Sequence, residues 1–361
     1  MIVLVLWSGA ARSGGGPATD AWDGIRGDGS EAHAMVDLYL QRRIGGDGRI
    51  ELRAFDPTDG PALGLARVTF AHRPRPIGFR IDAGAGDLAQ AYFLDDPLAA
   101  TRPELARWLG RVQQAFVSAH VPLGSGLDLD VGKFNTPIGL EDNEALTNWS
   151  YSRSLLFTWS EPSVHSGARA TFTLPHDLAL SLFWLNGWNT NFIGGNGMRS
   201  YAAAARWAPS KRLELVLVYA GGLERIPSQL ANPALAFRNL IDFYVRWLVR
   251  ERVTLALTAD YGHDQALGGA DFGGISAYAT VEATGWLRAT VRGEVLLDPT
   301  GLATGLGQTV GEATFTLELH GEVRALQLSL RGEYRHDRST STPFGGRASQ
   351  DTLTCALIAA L

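Results

Sequence analysis

Three absences narrow the classes of protein that this sequence can encode. Cysteine occurs once, at Cys355, which excludes an internal disulfide and the common zinc-ligand clusters but leaves the redox compartment open. The formal net charge of −5 provides no basic surface of the kind that binds nucleic acid. No apolar run reaches the roughly 18 residues that a transmembrane helix needs. Nothing in the sequence indicates a cofactor or a metal site, and we expect neither.

The N-terminus lacks the basic residues with which a secretory signal peptide usually starts. Residues 2–11 nevertheless form an apolar stretch of the right length for the hydrophobic region of a signal peptide, and small residues follow it. We therefore expect a signal peptide over residues 1–16 and a flexible, Gly-rich leader over residues 17–33. The remaining chain, residues 34–361, would then form one large all-β domain.

From residue 34 onward, apolar and polar residues alternate with a period of two, as in strands with two different faces. Leu326, Leu328 and Leu330, for example, alternate with Gln327 and Ser329. Helical spacing is limited to residues 103–109, within a loop. The same alternation recurs at residues 213–221, 241–247, 253–261, 275–283, 287–294 and 314–320.

The links between these strands have two lengths that alternate along the chain. Seven short links and eight long ones predict about sixteen strands of roughly ten residues each. Short turns at one end and long loops at the other are typical of an antiparallel, up-and-down transmembrane β-barrel, with its short turns in the periplasm and its long loops extracellular. A soluble sandwich or propeller has no reason to separate its links in this way. The short links lie near residues 72–76, 122–126, 174–177, 209–211, 248–252, 284–285 and 321–324.

A ring of about sixteen strands is too wide to be filled by apolar side chains, so the polar face is expected to point inward. Apolar residues then face lipid, and charged residues surround a wet lumen. The near balance of charge favours internal ion pairs, such as Arg292 with Glu294 and Arg331 with Glu333, over a strong filter of one sign. Alternation assigns to the lumen nine bases (Arg67, Arg80, Arg169, Arg206, Arg246, Arg288, Arg292, Arg331 and Arg335) and twelve acids (Asp37, Asp82, Asp128, Asp130, Glu214, Asp242, Asp260, Glu282, Glu294, Glu312, Glu318 and Glu333).

Several long motifs stand in a fixed order in the first half of the barrel region. They are RPIGFRIDAG (75–84), QQAFVSAHVPLGSGLDLDVGKF (113–134), GKFNTPIG (132–139), NWSYSRSLLF (148–157), HSGARATF (165–172) and NGWN (186–189). These motifs resemble those of the OmpL-like β-barrel porin family of Gram-negative outer membranes. The resemblance is continuous over about residues 34–224, and beyond it only the barrel periodicity persists. It implies an outer-membrane porin for passive diffusion of small polar solutes and ions, surrounded by lipid and lipopolysaccharide and inserted by the barrel-assembly machinery. The chain ends at Leu361, where such barrels usually carry an aromatic assembly signal.

The long link over residues 136–163 is expected to fold into the lumen and constrict the pore, as one loop does in large porins. It combines hydrogen-bonding groups with flat aromatic surfaces, which suits polar solutes such as sugars. Asn148, Tyr151 and Arg153 would either line the narrowest point or only pin the loop to the wall by hydrogen bonds. The sequence alone leaves both interpretations open.

Lys133 does not fit the alternation, because in phase it would face lipid, where a charge near the midplane costs about 2–4 kcal/mol. Either a bulge at Gly132 turns it inward, or it lies at the rim and extends its ammonium group to water. An inward Lys133 would lie near Asn135 and close to His165 and Arg169, which begin the next strand. These residues would form a basic cluster beside the loop.

Two other classes of function remain to be weighed. Catalysis is not expected, because the adjacent His165 and Ser166 point to opposite faces of a strand and His263–Asp264 has no clear partner. A poorly conducting barrel that acts as a surface scaffold or adhesin is an alternative that loops of modest length do not favour. Trimers are common among large porins, so a homo-oligomer is compatible with the sequence, although no stretch identifies an interface.

Overall fold

The computed structural model describes residues 29–46, 48–94, 96–191, 198–225, 235–265 and 268–361. The expected signal peptide, and the expected leader up to residue 28, lie outside these ranges.

Within the described residues, sixteen antiparallel strands close into one barrel, as predicted. Each strand pairs with its neighbours in the sequence, and the barrel closes where β1 pairs with β16, from Met35 opposite Ala360 to Arg43 opposite Thr352. β1 starts at Ser30, so residues 30–33 of the expected leader belong to the barrel. The strands are β1 (Ser30–Arg43), β2 (Gly60–His72), β3 (Ile77–Ala85), β4 (Val112–Val121), β5 (Leu127–Asn135), β6 (Val164–Leu174), β7 (Leu178–Leu185), β8 (Ser200–Ser210), β9 (Leu213–Arg225), β10 (Leu235–Arg250), β11 (Val253–Asp264), β12 (Ala270–Glu282), β13 (Leu287–Asp298), β14 (Gln308–Val323), β15 (Leu326–Ser339) and β16 (Ser349–Ala360).

The four α-helices of the described chain all lie in the long links. Three follow β3: α1 (Asp87–Leu94), α2 (Pro97–Thr101) and α3 (Pro103–Gly110), of which the helical spacing had indicated α3. The fourth, α4 (Leu155–Trp159), lies between β5 and β6 and has Ser154 as its N-cap. No helix among the described residues is both long and apolar enough to cross a membrane.

The two faces of the barrel wall are inverted relative to a water-soluble protein. Val117, Val131 and Leu182 on the outer face are 57%, 63% and 58% exposed, whereas Arg292 and Arg331 on the inner face expose nothing. An apolar exterior is stable only against lipid, and closure of the sheet gives every strand two hydrogen-bonding neighbours. The predicted inward placement of the charges is therefore correct.

Cysteine labelling of intact cells tests which end of the barrel faces outward. Thr342, exposed in the long link between β15 and β16, should as Thr342→Cys react with a membrane-impermeant maleimide. Ser210→Cys, at the short β8–β9 turn, should react only after the outer membrane is permeabilised. Ser228, in another long link, lies outside the described residues.

Because Cys355 is itself exposed, both variants are made in a Cys355→Ala background. Equal labelling of the two positions on intact cells would overturn the assignment of the short turns to the periplasm.

Candidate functional site

The link over residues 136–163, here called the lumenal loop, lies inside the barrel. Its Asn143, Ser150 and Ser152 are polar yet expose no surface. The loop leaves the wall at β5 and returns at β6, and between these points it is hydrogen-bonded to β1, β10, β13 and β15. It therefore crosses the lumen to the opposite wall.

Two glutamates of the opposite wall accept hydrogen bonds from backbone amides of the lumenal loop. Glu333 on β15 accepts from the amides of Tyr151 at 2.7 Å and Ser152 at 3.1 Å. Glu294 on β13 accepts from the first two amides of α4, at 2.7 and 3.3 Å. A carboxylate at the N-terminus of a helix also meets the positive end of the helix dipole, and hydrogen bonds to a charged acceptor are stronger than neutral ones.

Three arginines of the same wall donate to backbone carbonyls of the loop. Arg292 reaches the carbonyl of Ser152 at 2.7 Å, and Arg335 reaches that of Arg153 at 2.7 Å. Arg331 reaches two loop carbonyls, at 2.6 and 3.2 Å. Side chains of the wall therefore both donate hydrogen bonds to the loop backbone and accept hydrogen bonds from it.

This wall carries ion pairs between strands as well as one within β15, where Arg335 pairs with Asp337 at 2.7 Å. Arg331 pairs with Glu318, which lies directly opposite it on β14, at 3.0 Å, and Arg292 pairs with Glu312 on β14 at 3.1 Å. The predicted pair of Arg331 with Glu333 is corrected in this respect, because Glu333 binds the loop amides instead. Arg292 and Glu294 approach each other at 4.0 Å.

Tyr151 and Arg153 have the contacts of residues that pin the loop. The Arg153 guanidinium donates to the carbonyl of Asn143 at 3.0 Å and to that of Tyr151 at 2.6 Å, and it lies 5.1 Å from the ring centre of Phe55. The Tyr151 hydroxyl donates to Asp37 on β1 at 3.2 Å. Both side chains are at most 3% exposed, so their polar groups are not open to solvent. These hydrogen bonds instead hold the loop in place.

Asn148 and Asn135 brace the start of the loop around Asp142. The Asn148 side chain accepts from the Asp142 amide at 2.8 Å and donates to its carbonyl at 2.7 Å. Asn135 donates to the Asp142 carboxylate at 3.3 Å and accepts from the Tyr92 hydroxyl on α1 at 2.8 Å. Burial raises the pKa of the Asp142 carboxyl.

The predicted basic cluster at the base of the loop does not form. Lys133 donates to the carbonyls of Leu109 and Val112, at 3.0 and 2.6 Å, near the end of α3. Arg169 binds Asp130 at 2.6 Å, while His165 lies 3.5 Å from the Thr136 hydroxyl. Each of the three side chains has its own partners, so they do not form a shared anion site.

Lys133 follows neither of the two predicted routes. β5 pairs with β4 and β6 without a register shift at Gly132, so there is no bulge, and Lys133 is only 8% exposed. Gly132 has a φ of 144°, and a Cβ there would lie 2.2 Å from the Ala115 carbonyl oxygen. Glycine is therefore required at this position, and the simple alternation of faces ends there.

Part of the inner face is apolar, which sequence reasoning missed. Phe183, Val216, Val218 and Leu240 on β7, β9 and β10 are buried in a cluster that includes Ile138 of the lumenal loop. The sequence does contain a signal for this apolar inner face. Residues 215–218 are all apolar and do not alternate with polar residues, which is the pattern of strands buried on both faces. The wet, charged lumen expected from the sequence is thus confined to part of the wall.

A closed sixteen-strand antiparallel barrel with an apolar exterior and a loop folded inward is the architecture of an outer-membrane porin. The chain belongs to the family described as putative beta-barrel porin-2, OmpL-like, whose model matches residues 33–361. Its location is the outer membrane. No curated protein matches the chain.

Solved structures share this fold at low sequence identity. OmpT of Vibrio cholerae in its trimer form has a TM-score of 0.59 at 10% identity, over 92% of this chain and 99% of that one. The outer membrane channel DcaP of Acinetobacter baumannii has a TM-score of 0.58 at 10% identity, over 92% and 96%. An anion-selective porin from Comamonas acidovorans has a TM-score of 0.56 at 9% identity, over 92% and 99%. At such identities the likeness concerns the fold alone.

Removal of one wall acceptor should loosen one part of the loop. Glu294→Ala leaves the two amides at the start of α4 without their acceptor, and a hydrogen bond to a charged group contributes about 1.5–3 kcal/mol. Amide exchange measured by hydrogen–deuterium exchange over residues 154–160 should therefore accelerate by roughly 10- to 100-fold.

Glu251→Ala, in the exposed β10–β11 turn, is the matched control and should leave this segment unchanged. If the exchange of residues 154–160 does not respond to Glu294→Ala, the carboxylate does not anchor the loop.

Proposed function

We propose that the protein is a porin that forms a water-filled channel for passive diffusion of small polar solutes and ions, and that the lumenal loop sets the width of this channel. The observation that carries the proposal is the course of the loop, which leaves the wall at β5 and is anchored on β13 and β15 across the lumen. A segment held at both sides of a barrel reduces the open cross-section at its level. Pore size then depends on the loop more than on the number of strands.

A wet vestibule on the periplasmic side of the loop supports this proposal. Near the short turns, the inward side chains of Arg206, Glu282, Arg288 and His320 are 30%, 25%, 18% and 28% exposed. Arg292 and Arg331, which meet the loop, in contrast expose no surface. Solutes entering from the periplasm would therefore meet mixed charge before they reach the narrow zone.

The site favours transport over catalysis. Many backbone groups of the lumenal loop are hydrogen-bonded to side chains of the wall. In the described chain, the adjacent His165 and Ser166 have separate partners. The barrel would be surrounded by outer-membrane lipid and lipopolysaccharide, having been inserted by the barrel-assembly machinery. A homo-oligomer fits this proposal, since a solved barrel of the same fold is a trimer.

The close packing of the loop favours a second candidate, a poorly conducting barrel that acts as a surface scaffold or adhesin. Arg292, Arg331, Ser150 and Ser152 expose no surface where loop and wall meet. Single-channel conductance of the wild-type barrel in planar bilayers separates the two functions, because a scaffold has no need of a stable open level.

Shortening the lumenal loop should enlarge the channel. Deletion of residues 143–158 removes the segment anchored on β13 and β15 and leaves the strands intact, so single-channel conductance should rise and larger solutes should pass. The matched control is Arg153→Ala, which keeps the loop but removes its internal brace, and should give noisy gating at an unchanged maximal conductance. Unchanged conductance after the deletion, in a correctly assembled barrel, would place the loop outside the conducting path.

The open channel should discriminate only weakly between ions. The twelve acids and nine bases that the alternation assigns to the lumen give a slight preference for cations, and the many ion pairs and salt screening reduce it further. The reversal potential in a potassium chloride gradient should therefore be small and of the sign that indicates cations. A potential close to the ideal value for either ion would contradict the mixed-charge lumen.

A further inference from the structure

Three carboxylates meet at the base of the lumenal loop. Glu161 belongs to the end of the loop, and Asp242 and Asp260 lie directly opposite each other on β10 and β11. One carboxylate oxygen from each lies within 4.8 Å of the other two, and all three side chains are buried. Gly139, at the start of the loop, lies so close to the Glu161 carboxylate that a Cβ would collide with it. Both ends of the loop therefore meet at this point.

Hydrogen bonds satisfy only part of this group. Asp242 accepts from the Gly139 amide at 3.1 Å and from the Thr258 hydroxyl at 3.4 Å. Apart from one another's carboxyl groups, both carboxylate oxygens of Asp260 and Oε2 of Glu161 are buried without a hydrogen-bond partner among the described residues. Buried acceptors without partners are rare, because each loses its hydration without replacement.

A neutral hydroxyl group beside the carboxylates also lacks a partner. Tyr244 lies opposite Thr258, and this pair borders the pair of Asp242 and Asp260 on the same inner face. Tyr244 exposes no surface, and its hydroxyl has no hydrogen-bond partner among the described residues. This orphaned group is an observation independent of the acids, and it indicates that a polar species belongs beside it.

The charge at this point requires compensation. Elsewhere in the lumen buried carboxylates meet guanidinium groups, as Asp130 meets Arg169 at 2.6 Å. Three carboxylates a few ångströms apart in a medium of low dielectric repel strongly unless protons or a cation intervene. Burial, followed by the charges of Asp260 and Asp242, raises the pKa of the Glu161 carboxyl. Shared protons are thus the competing explanation.

The donor set suits calcium. Only oxygen ligands are present, which favours a hard cation. Calcium accepts about six to eight oxygen ligands in a flexible geometry, whereas magnesium demands a near-ideal octahedron, so three carboxylates from three different segments suit calcium better.

We propose that Glu161, Asp242 and Asp260 form a binding site for one divalent cation, best fitted by calcium, which ties the end of the lumenal loop to β10 and β11. The hydroxyl group of Tyr244 binds one of the waters that complete the coordination of the ion. This site is independent of whether the barrel conducts.

Calcium binding to the whole barrel, refolded in detergent free of lipopolysaccharide, tests the proposal. After treatment with a chelator, the protein should show one saturable site in calcium titration calorimetry, and calcium should displace bound terbium, detected by its luminescence. Asp260→Asn is the most informative variant, because the oxygens that it alters have no hydrogen bond to lose outside the three carboxyl groups. Its affinity for calcium should be at least about tenfold lower, since ligand charge sets the affinity of such sites.

Thermal unfolding distinguishes a ligand from a structural contact. Calcium should raise the Tm of the wild type but not that of Asp260→Asn, and in chelator the variant should be at least as stable as the wild type because one repelling charge is gone. Glu161→Gln should behave alike, and Glu251→Gln, in an exposed turn, should bind calcium as the wild type does. Absence of saturable binding at millimolar calcium, or equal binding by Asp260→Asn, would overturn the proposal in favour of shared protons or an adventitious ion only.

Discussion

The hydrogen-bonding requirement of the backbone within lipid determines the rest of this structure. Because no water reaches the outer face of the wall, every strand needs two neighbours, and the pairing of β1 with β16 meets that requirement by closing the sheet. Closure of sixteen strands produces an interior too wide for apolar side chains alone to fill. The charged residues that the lipid excludes are therefore collected inside, where they in turn need partners.

The lumenal loop supplies many of those partners through its backbone. Arginines on β13 and β15 take its carbonyls, and Glu294 and Glu333 take its amides. An isolated irregular segment would leave these backbone groups unpaired, and an isolated row of inward charges would be equally unsatisfied. The wall and the loop thus pair each other's polar groups, which explains why a loop with little regular structure is so completely buried.

The period of two and the two lengths of link sufficed to predict the barrel, its strand number and the inward side of Arg292 and Arg331, because these features depend on neighbours in the sequence. The partners of the loop could not be predicted in the same way. Glu294 and Leu155 are 139 positions apart, and only the closed barrel brings them together. Lys133 was unpredictable for a related reason, since its acceptors lie near the end of a helix in a different link.

The loop is held by two parts of the barrel wall that differ in their chemistry. On β13 and β15, inward acids alternate with arginines, so the charges cancel within the protein. On β10 and β11, Asp242 and Asp260 stand opposite each other, and the loop adds a third acid, Glu161. Glu161 is 81 positions from Asp242 along the chain, so no motif in the sequence predicts this group. The charges around the loop are balanced on β13 and β15, but negative charge accumulates on β10 and β11. The second site therefore needs a positive species from solution, and the position of the loop then depends on the ions around the cell.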